Sequence, residues 1–238
     1  MEFVCVAVTA ICLLSAAQSA PVSVCDSLLE RLPIRGREEI LGKWVHIGES
    51  TNLPGSAEMT KMLVDSVWLN LTAAEQEDGI IFSQIQKSFG ICSHVTSNYT
   101  IRDNAFHLEY PIKVTAVMIR TSCPDCLVSY SNFTLGENEY HSLQLVSRRT
   151  EVSAEEKREF QKQVECLNLP QVTFLDSKKE LCPDPFTSPN SKSIDVANTL
   201  RNFDFSQLVK ILTSSKAVEK LTDLVSSQLP ADRKVLQS

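Results

Sequence analysis

The chain has 238 residues, of which 43% are hydrophobic and 22% are charged, and its formal net charge is −6. An acidic balance of this size excludes the generic phosphate-binding surface of nucleic-acid-binding proteins. The length fits one large domain, two small ones, or a single β-barrel with appended segments.

The N-terminus has the pattern of a secretory signal peptide. An apolar run from Phe3 to Leu14 is followed by small residues, and it is too short to span a membrane. We expect cleavage after Ser19, although this segment carries Glu2 and no basic residue. The predicted organisation is a signal peptide at 1–19, a barrel domain at 20–183, a proline- and serine-rich linker at 184–193 and an amphipathic helical tail at 194–238.

The middle of the chain reads as β-structure. Short polar turns such as Glu77-Asp78-Gly79 separate runs of alternating or β-branched residues. Such a pattern predicts a mainly β fold, an up-and-down antiparallel meander that closes into a barrel and removes its exposed edges. An ordinary packed β-core predicts the same alternation and remains an alternative. The eight predicted strands lie near 42–50, 64–72, 79–87, 91–100, 105–110, 112–121, 126–134 and 139–148.

Strand parity predicts which side chains face the barrel interior. Three N-glycosylation sequons begin at Asn70, Asn98 and Asn132, and a glycosylated side chain must face water, so residues of opposite parity face inward. Two further strands are assigned by their own alternation. Eight strands enclose room for one small ligand. The predicted ligand-contacting residues are Val67, Leu69, Leu71, Val95, Tyr99, Phe106, Leu108, Tyr110, Leu127, Ser129, Phe133, Leu143 and Leu145, with Arg120 or Tyr99 as the polar group that orients the ligand.

The sequence period changes after the eighth strand. Ser153 and Glu156 fit a capping box, and Phe160, Val164 and Leu167 share one helical stripe. We expect a helix that flanks the barrel, followed by a short strand at Val172–Leu175.

The tail contains two amphipathic stretches. Phe205, Leu208 and Val209 share a face in the first, and Val218 and Leu221 do in the second. Their polar faces carry charges of both signs, which does not favour membrane binding over docking. An interaction module that contacts a lipid particle or a partner protein through residues 194–229 is therefore an alternative function.

The cysteines indicate a disulfide framework. An even number outside the signal peptide is typical of secreted proteins, but sequence spacing alone permits many pairings. The six cysteines are Cys25, Cys92, Cys123, Cys126, Cys166 and Cys182.

At this point the chain resembles the lipocalins. Gly42-Lys43-Trp44 looks like the first motif of that family, and Arg149-Thr150 looks like its last. The segment from Cys25 to Cys182 looks like the branch of α1-acid glycoprotein and apolipoprotein M, and possible relatives include the fish lipocalins that bind alkaloid toxins or organotin compounds. Ile40 occupies a position at which the family often has Asn, and the family's middle motif cannot be identified in this sequence.

The resemblance carries several expectations. It places Gly42, Trp44 and Arg149 at the closed end of the barrel, with the Arg across the Trp in a cation–π contact of about 0.5–2 kcal/mol. The disulfide pattern of that branch implies two specific cysteine pairs, and the two cysteines that remain are expected to pair with each other. It also implies carriage of a small hydrophobic or amphipathic ligand, namely a lipid, a steroid or a drug- or toxin-like molecule. The implied pairs are Cys25–Cys166 and Cys92–Cys182, with Cys123–Cys126 as the remaining bridge.

Catalysis is disfavoured. The Cys123-Pro124-Asp125-Cys126 run resembles a redox motif, but we expect it to staple a hairpin loop. The cysteine-nucleophile enzyme among lipocalins, the lipocalin-type prostaglandin D synthase, needs a barrel thiol, and pairing of all six cysteines leaves none. His46, His94, His107 and His141 lie on different strands without metal-ligand spacing, and no Gly-x-Ser-x-Gly occurs. The sequence therefore predicts a secreted, glycosylated, non-enzymatic carrier without metal or cofactor.

Overall fold

The structure is a computed structural model, and it describes residues 24–187 and 193–195. The predicted signal peptide at 1–19 and both predicted tail helices lie outside the described residues. None of the helices in the described ranges is both long and apolar enough to cross a membrane. The elements are α1 (Val24–Leu28), a 3-10 turn (Arg37–Glu39), β1 (Gly42–Thr51), α2 (Ser56–Leu63), β2 (Ser66–Ala73), β3 (Gly79–Ser88), β4 (Ile91–Arg102), β5 (Ala105–Leu108), β6 (Lys113–Ile119), β7 (Cys126–Leu135), β8 (Asn138–Ser147), α3 (Ala154–Cys166), β9 (Thr173–Phe174) and β10 (Ile194–Asp195).

Strands β1 to β8 form a closed antiparallel barrel. Each strand pairs with its neighbours in sequence, and β1 also pairs with β8, so the sheet has no free edge between its first and last strands. Pairing of β4 with β5 completes the ring, but it involves only Thr100–Arg102 and Ala105–His107. The predicted mainly β, eight-stranded up-and-down fold is confirmed.

Strand β1 contains a bulge that the alternation did not predict. Its register against β8 shifts between His46 and Gly48. A Cβ at Gly48 would lie 2.7 Å from the Phe174 ring, so the glycine lets β9 approach and pair with β1. The bulge changes which residues of β1 face inward beyond that point.

Helix α2 lies between β1 and β2 and was not predicted. Strand β1 ends at Thr51, Pro54 and Gly55 form a turn, and Gly55 takes the left-handed conformation, φ +73°, at the helix start. Only Ser56 and Thr60 are buried in this eight-residue helix. A short helix with one narrow buried edge gives too weak a 3.6-residue period to be recognised from sequence.

Helix α3 begins with the predicted capping box. The Ser153 hydroxyl accepts from the Glu156 N–H, and the Glu156 carboxylate accepts from the Ser153 N–H. Phe160 and Val164 pack with Leu143 and Leu145 in a core cluster on the outer side of the sheet. A second cluster, around Trp44, lies inside the barrel. Phe160, the largest fully buried side chain among the described residues, therefore belongs to the helix–sheet interface rather than to the barrel interior.

Three disulfides tie the peripheral segments to the barrel. They have the pairing that the lipocalin resemblance implied. Cys25–Cys166 joins α1 to the end of α3, Cys92–Cys182 joins β4 to the segment after β9, and Cys123–Cys126 closes the loop between β6 and β7.

The last described residues lie against β4. Ile194 and Asp195 pair in parallel with Ser93 and His94. The helical tail expected from residue 194 therefore begins with a short strand, because the edge of β4 offers unpaired backbone groups at this point.

Candidate functional site: a cavity inside the barrel

The barrel interior contains a cavity of about 370 Å³. This volume is at the lower end of the range for small-molecule sites. The walls are mainly apolar, and hydroxyl and amide groups from several strands are interspersed among them. The predicted residues that line it are Leu69, Leu71, Val95, Tyr99, Phe106, Leu127, Ser129 and Phe133.

Two of the predicted lining residues are wrong because they point out of the barrel. Leu143 and Leu145 on β8 are fully buried, but they pack against Phe160 and Val164 of α3. Helix α3 covers this part of the sheet, so the outer face of β8 is apolar as well. Alternation shows that two faces differ, but it does not show which one is inside. The cavity is lined instead by Ser142, Gln144 and Val146.

Leu108 and Tyr110 do not line the cavity, although Leu108 is buried and lies on the same face of the sheet as Phe106 and its partner Val114. The strand ends at Leu108, and Tyr110, which precedes a cis peptide bond to Pro111, is 60% exposed. Both residues border a second recess, which we name the side groove; it is lined by residues 95–98, 100 and 107–111.

Val67 and Arg120 also lie away from the cavity wall. Val67 is buried in the inner cluster with Trp44 without lining the cavity. Arg120 follows the end of β6, and its guanidinium makes an ion pair with Glu30 at 2.9 Å, with both side chains more than half exposed. The prediction that Arg120 orients a ligand is therefore wrong, since its partner lies outside the barrel.

The closed end is built by Gly42, Trp44 and Arg148. The Trp44 indole N–H donates to the Ile40 carbonyl at 2.7 Å. The Arg148 guanidinium carbon lies 3.5 Å from the Trp44 ring centroid, and burial lowers the pKa of Arg148. Gly42 has φ +93°, and a Cβ there would lie 3.1 Å from the Arg148 Nη1 atom, so a side chain would be strained and crowded.

The expectation that Arg149 covers the tryptophan was wrong by one residue. Arg149 points away and makes ion pairs with Asp125 at 2.7 Å and Glu156 at 2.8 Å. It therefore joins the loop of the Cys123–Cys126 disulfide to the first turn of α3. The side chains of successive residues diverge at the end of a strand, and only one of the two can reach the barrel floor.

Sequence reasoning missed much of the lining. The alternation of β3 and β6 could have revealed Phe82, Gln84, Val114, Ala116 and Met118. The lining residues on the β1–α2 segment, such as Glu49 and Met59, could not have been found, because neither the bulge nor the helix was predicted. The other lining residues that were missed are Ile40, Glu49, Thr51, Leu53, Ser56, Met59, Thr60, Ser97, Ile112 and Ser131.

Glu49 gives the cavity its charge. Among the described residues that line the cavity, it is the only carboxylate, and no Lys, Arg or His is found there. Its Oε1 accepts a hydrogen bond from the Thr60 hydroxyl of α2 at 2.8 Å, and its Oε2 lies 3.8 Å from Nε2 of His46. Burial lowers the pKa of His46, against the opposing attraction of Glu49, so this imidazole is held neutral at pH 7.

Tyr99 supplies a neutral hydroxyl group. Its burial raises the pKa to about 12, and its ring lies tilted against Phe82, 5.3 Å between centroids. A buried phenol of this kind can donate a hydrogen bond to a ligand and does not ionise at physiological pH.

The sequon asparagines differ in exposure. Asn98 is exposed, whereas Asn70 and Asn132 are half-buried. The Asn132 Oδ1 atom lies 2.7 Å from Nδ1 of His141. Their glycosylation stays a prediction.

One group of side chains has the spacing of a metal site, but its chemistry does not fit one. Cys123, Asp125, Cys126 and Glu156 have ligand atoms within 4.8 Å of one another. Both sulfur atoms are in a disulfide and cannot act as thiolates, and both carboxylates are bound by Arg149.

Comparisons with known proteins bear on the fold. No protein-family model and no curated protein sequence matches the chain. A solved structure that it resembles is the siderocalin Ex-FABP, described as functioning through dual ligand specificities. The two are 19% identical, with a TM-score of 0.55, over 61% of this chain and 99% of that chain. The barrel, its closing Trp–Arg pair and its flanking helix define the lipocalin fold.

Proposed function

We propose that this protein is a secreted, non-enzymatic carrier that binds one small hydrophobic or amphipathic ligand inside its barrel. The observation that carries this proposal is the cavity of about 370 Å³, whose walls are mostly apolar. Transfer of apolar ligand surface from water into such a space contributes roughly 25 cal/mol per Å². A folded protein gains nothing from keeping so large an interior unfilled, so a ligand that fills it is the simplest explanation.

The charge of the cavity narrows the ligand class. Glu49 would repel an anionic group such as a free carboxylate, and no described cation in the wall would compensate for it. A neutral molecule or one with a protonated nitrogen is favoured. Tyr99, rather than Arg120, is left as the predicted polar group that can orient the ligand, together with Glu49.

The cysteines support carriage over catalysis. All six cysteines in the described part of the chain are in disulfides, so none offers a nucleophilic thiol. Three disulfides also suit an oxidising extracellular environment, in agreement with the predicted signal peptide and sequons. Membership of the α1-acid glycoprotein and apolipoprotein M branch, and with it lipid-, steroid-, drug- or toxin-like ligands, is part of the same proposal.

The test is a matched pair of cavity variants. The chain is expressed with its own N-terminus in cells that secrete proteins, and native mass spectrometry is used to look for a bound small molecule. Affinity for a neutral lipophilic fluorophore is then measured for the wild type, Ser131→Trp and Glu139→Trp. Ser131 lines the cavity, while Glu139 is exposed on the same hairpin.

We expect Ser131→Trp to weaken fluorophore binding at least about tenfold and Glu139→Trp to leave it unchanged. Unchanged circular dichroism and melting temperature would show that both variants are folded. A wild-type protein that binds no probe and carries no molecule, or equal effects of the two substitutions, would contradict the proposal.

A further inference from the structure

The side groove lies along one edge of β4. Strand β5 pairs with β4 only at residues 100–102, and it ends at Leu108. In the described part of the chain, residues 95–99 therefore have a ladder partner on the β3 side alone. The other edge of this stretch offers backbone N–H and C=O groups to a further strand.

The side groove is a gap in the barrel wall rather than a recess on one face of it. Consecutive residues of a strand point to opposite faces of the sheet, so a recess on one face is lined by alternate residues. The groove instead borders every residue from 95 to 98, and its far side is formed by residues 107–111. Val95 and Ser97 also line the central cavity. The gap, with a volume of about 340 Å³, thus adjoins the cavity.

Strand β10 leads directly into this gap. Ile194–Asp195 pairs in parallel with residues 93–94 of β4. Because parallel strands run in the same direction, continuing this register brings Val196 level with Val95, the first residue of the groove. The following residues of the chain then run along the open edge of β4.

The segment before β10 is attached to the same strand. Cys182 forms a disulfide with Cys92. The Ser193 hydroxyl oxygen lies 2.8 Å from Nδ1 of His94, within hydrogen-bond distance. The Phe186 ring packs edge-on against the His94 ring, with 5.3 Å between the centroids. These contacts hold the chain at one end of the groove, so the residues after β10 meet the groove at a high effective concentration.

The sequence after β10 is compatible with an added strand. Residues 196–198 are Val-Ala-Asn and include neither a charged residue nor a proline, the residue types that block pairing at strand edges. Most of the groove surface is apolar, with Leu108 and Pro111 among its lining residues, which suits an uncharged segment. The room for such a strand ends at Thr100, where β5 pairs with β4 directly.

We infer that residues 196–198 continue β10 as a parallel strand along β4, fill the side groove and complete the barrel wall beside the cavity. In this register Val196 and Asn198 lie on the same face as Val95 and Ser97, so they extend the cavity lining. The C-terminal tail is then built into the barrel at its first residues. This inference goes beyond the proposed function, since it concerns the wall and not the ligand.

The first experiment traps the strand with engineered disulfides in the full chain. Thr96→Cys/Ala197→Cys joins residues that this register places opposite each other, and Thr96→Cys/Thr199→Cys is the control shifted by two residues. Neighbouring strands lie about 4.8 Å apart, within the Cα–Cα range of disulfides, whereas a shift of two residues adds about 6.6 Å and exceeds that range. Ser93→Cys/Ile194→Cys, a pair already adjacent in the structure, is the positive control.

Bridges are identified by non-reducing peptide mapping of the secreted proteins. We expect Thr96→Cys/Ala197→Cys to form its bridge as completely as the positive control, and the shifted pair to form little. Asn98 is a predicted glycosylation site on the groove, so each pair is also made with Asn98→Gln, and the same result is expected. Equal bridging of the aligned and shifted pairs would overturn the inference, because the tail would then have no fixed register. A bridge between two chains would also overturn it, because a second copy would then occupy the groove.

The second experiment needs no engineered cysteine. Hydrogen exchange of the backbone amides of residues 95–98 is followed in the wild type and in Val196→Pro/Asn198→Pro, which cannot donate to an adjacent strand at either position. Ser214→Pro, between the two predicted amphipathic stretches, is the control. We expect the amides that point into the groove to exchange at least about tenfold faster in the double proline variant and at the wild-type rate in the control. Equal exchange in all three proteins would contradict the inference. Neither experiment requires a ligand, so a failure of the proposed function would leave both results interpretable.

Discussion

The Arg148 guanidinium carbon lies 3.5 Å from the centroid of the Trp44 ring, and its two terminal nitrogens donate to the carbonyls of Lys43 and Leu41 at 2.8 and 2.6 Å. One side chain thus covers the tryptophan and also binds the backbone where β1 begins. This contact fixes the floor of the cavity.

The first prediction concerns this contact. Arg148→Ala should lower the free energy of unfolding by about 2 kcal/mol, since it removes a cation–π contact and two hydrogen bonds to backbone carbonyls. Urea denaturation measures the change. Arg149→Ala is the matched control, and it should cost less because its ion pairs lie at the surface. A larger effect at Arg149 would show that the assignment of the two arginines is reversed.

The second prediction ranks the disulfides. Replacement of Cys25 and Cys166 by Ser, or of Cys92 and Cys182, opens loops that span 141 and 90 residues. In the chain-entropy model each should cost about 5 kcal/mol, whereas opening the short Cys123–Cys126 loop should cost about 2 kcal/mol. Melting temperatures of the three double variants give the order. The ranking would be contradicted if the short loop mattered most.

The third prediction separates the two faces of the barrel wall. Leu145→Ala should destabilise the protein by about 2–5 kcal/mol, because it leaves a cavity in the close-packed cluster under α3, and it should leave probe affinity unchanged. Leu127→Ala should change the probe affinity and should destabilise the protein less than Leu145→Ala does, since the Leu127 side chain already faces the open cavity. Urea denaturation and probe titration are measured together for both variants. A loss of binding in folded Leu145→Ala would contradict the outward assignment of Leu145.

The fourth prediction concerns the cavity charge. Glu49→Gln should weaken the binding of protonated dodecylamine at least about tenfold and change the affinity for 1-dodecanol little, because only the amine needs a counter-charge. Calorimetry with the two probes provides the measurement. Gln84→Ala, another polar lining position, is the control and should not distinguish between the probes. Equal effects of Glu49→Gln on both probes would exclude a selective role for the carboxylate.

The fifth prediction follows from the burial of His46. Burial lowers the pKa of this imidazole in the folded protein, so the unfolded chain binds more protons in the window below about pH 6.5. The contribution of His46 to the free energy of unfolding is fully present above about pH 6.5, and it is lost as the pH falls toward the lowered pKa of the folded protein. His46→Gln should therefore show a flatter decline of the urea midpoint between pH 7.5 and pH 5.5.

Glu49→Gln provides the companion measurement. The Glu49 carboxylate opposes the lowering of the His46 pKa, so removing this carboxylate should make the acid-induced decline of the urea midpoint steeper. An unchanged slope in His46→Gln would mean that other groups account for the pH dependence.

Much of the fold could be predicted from sequence because its signals are local. Each of the eight strands lies within a few residues of its expected position, since β-branched alternation and turn residues act over short distances. The start of α3 was predicted because Ser153 and Glu156 belong to one helical turn. Gly42 and Trp44 marked the start of β1 because Gly-x-Trp is a short motif that resembles the first motif of the lipocalins, and β1 does begin at Gly42.

The tertiary structure alone decided which way the side chains point and where the wall is open. An alternating strand has two faces, and the inner one is identified only by what covers the other, as α3 covers Leu143 and Leu145. The bulge at Gly48 and helix α2, which bring Glu49 to the cavity, depend on contacts with β9 and the rest of the barrel. The choice of Arg148 over Arg149 at Trp44 depends on the end of β8. Local propensity sets the period of a strand, but long-range packing sets its orientation.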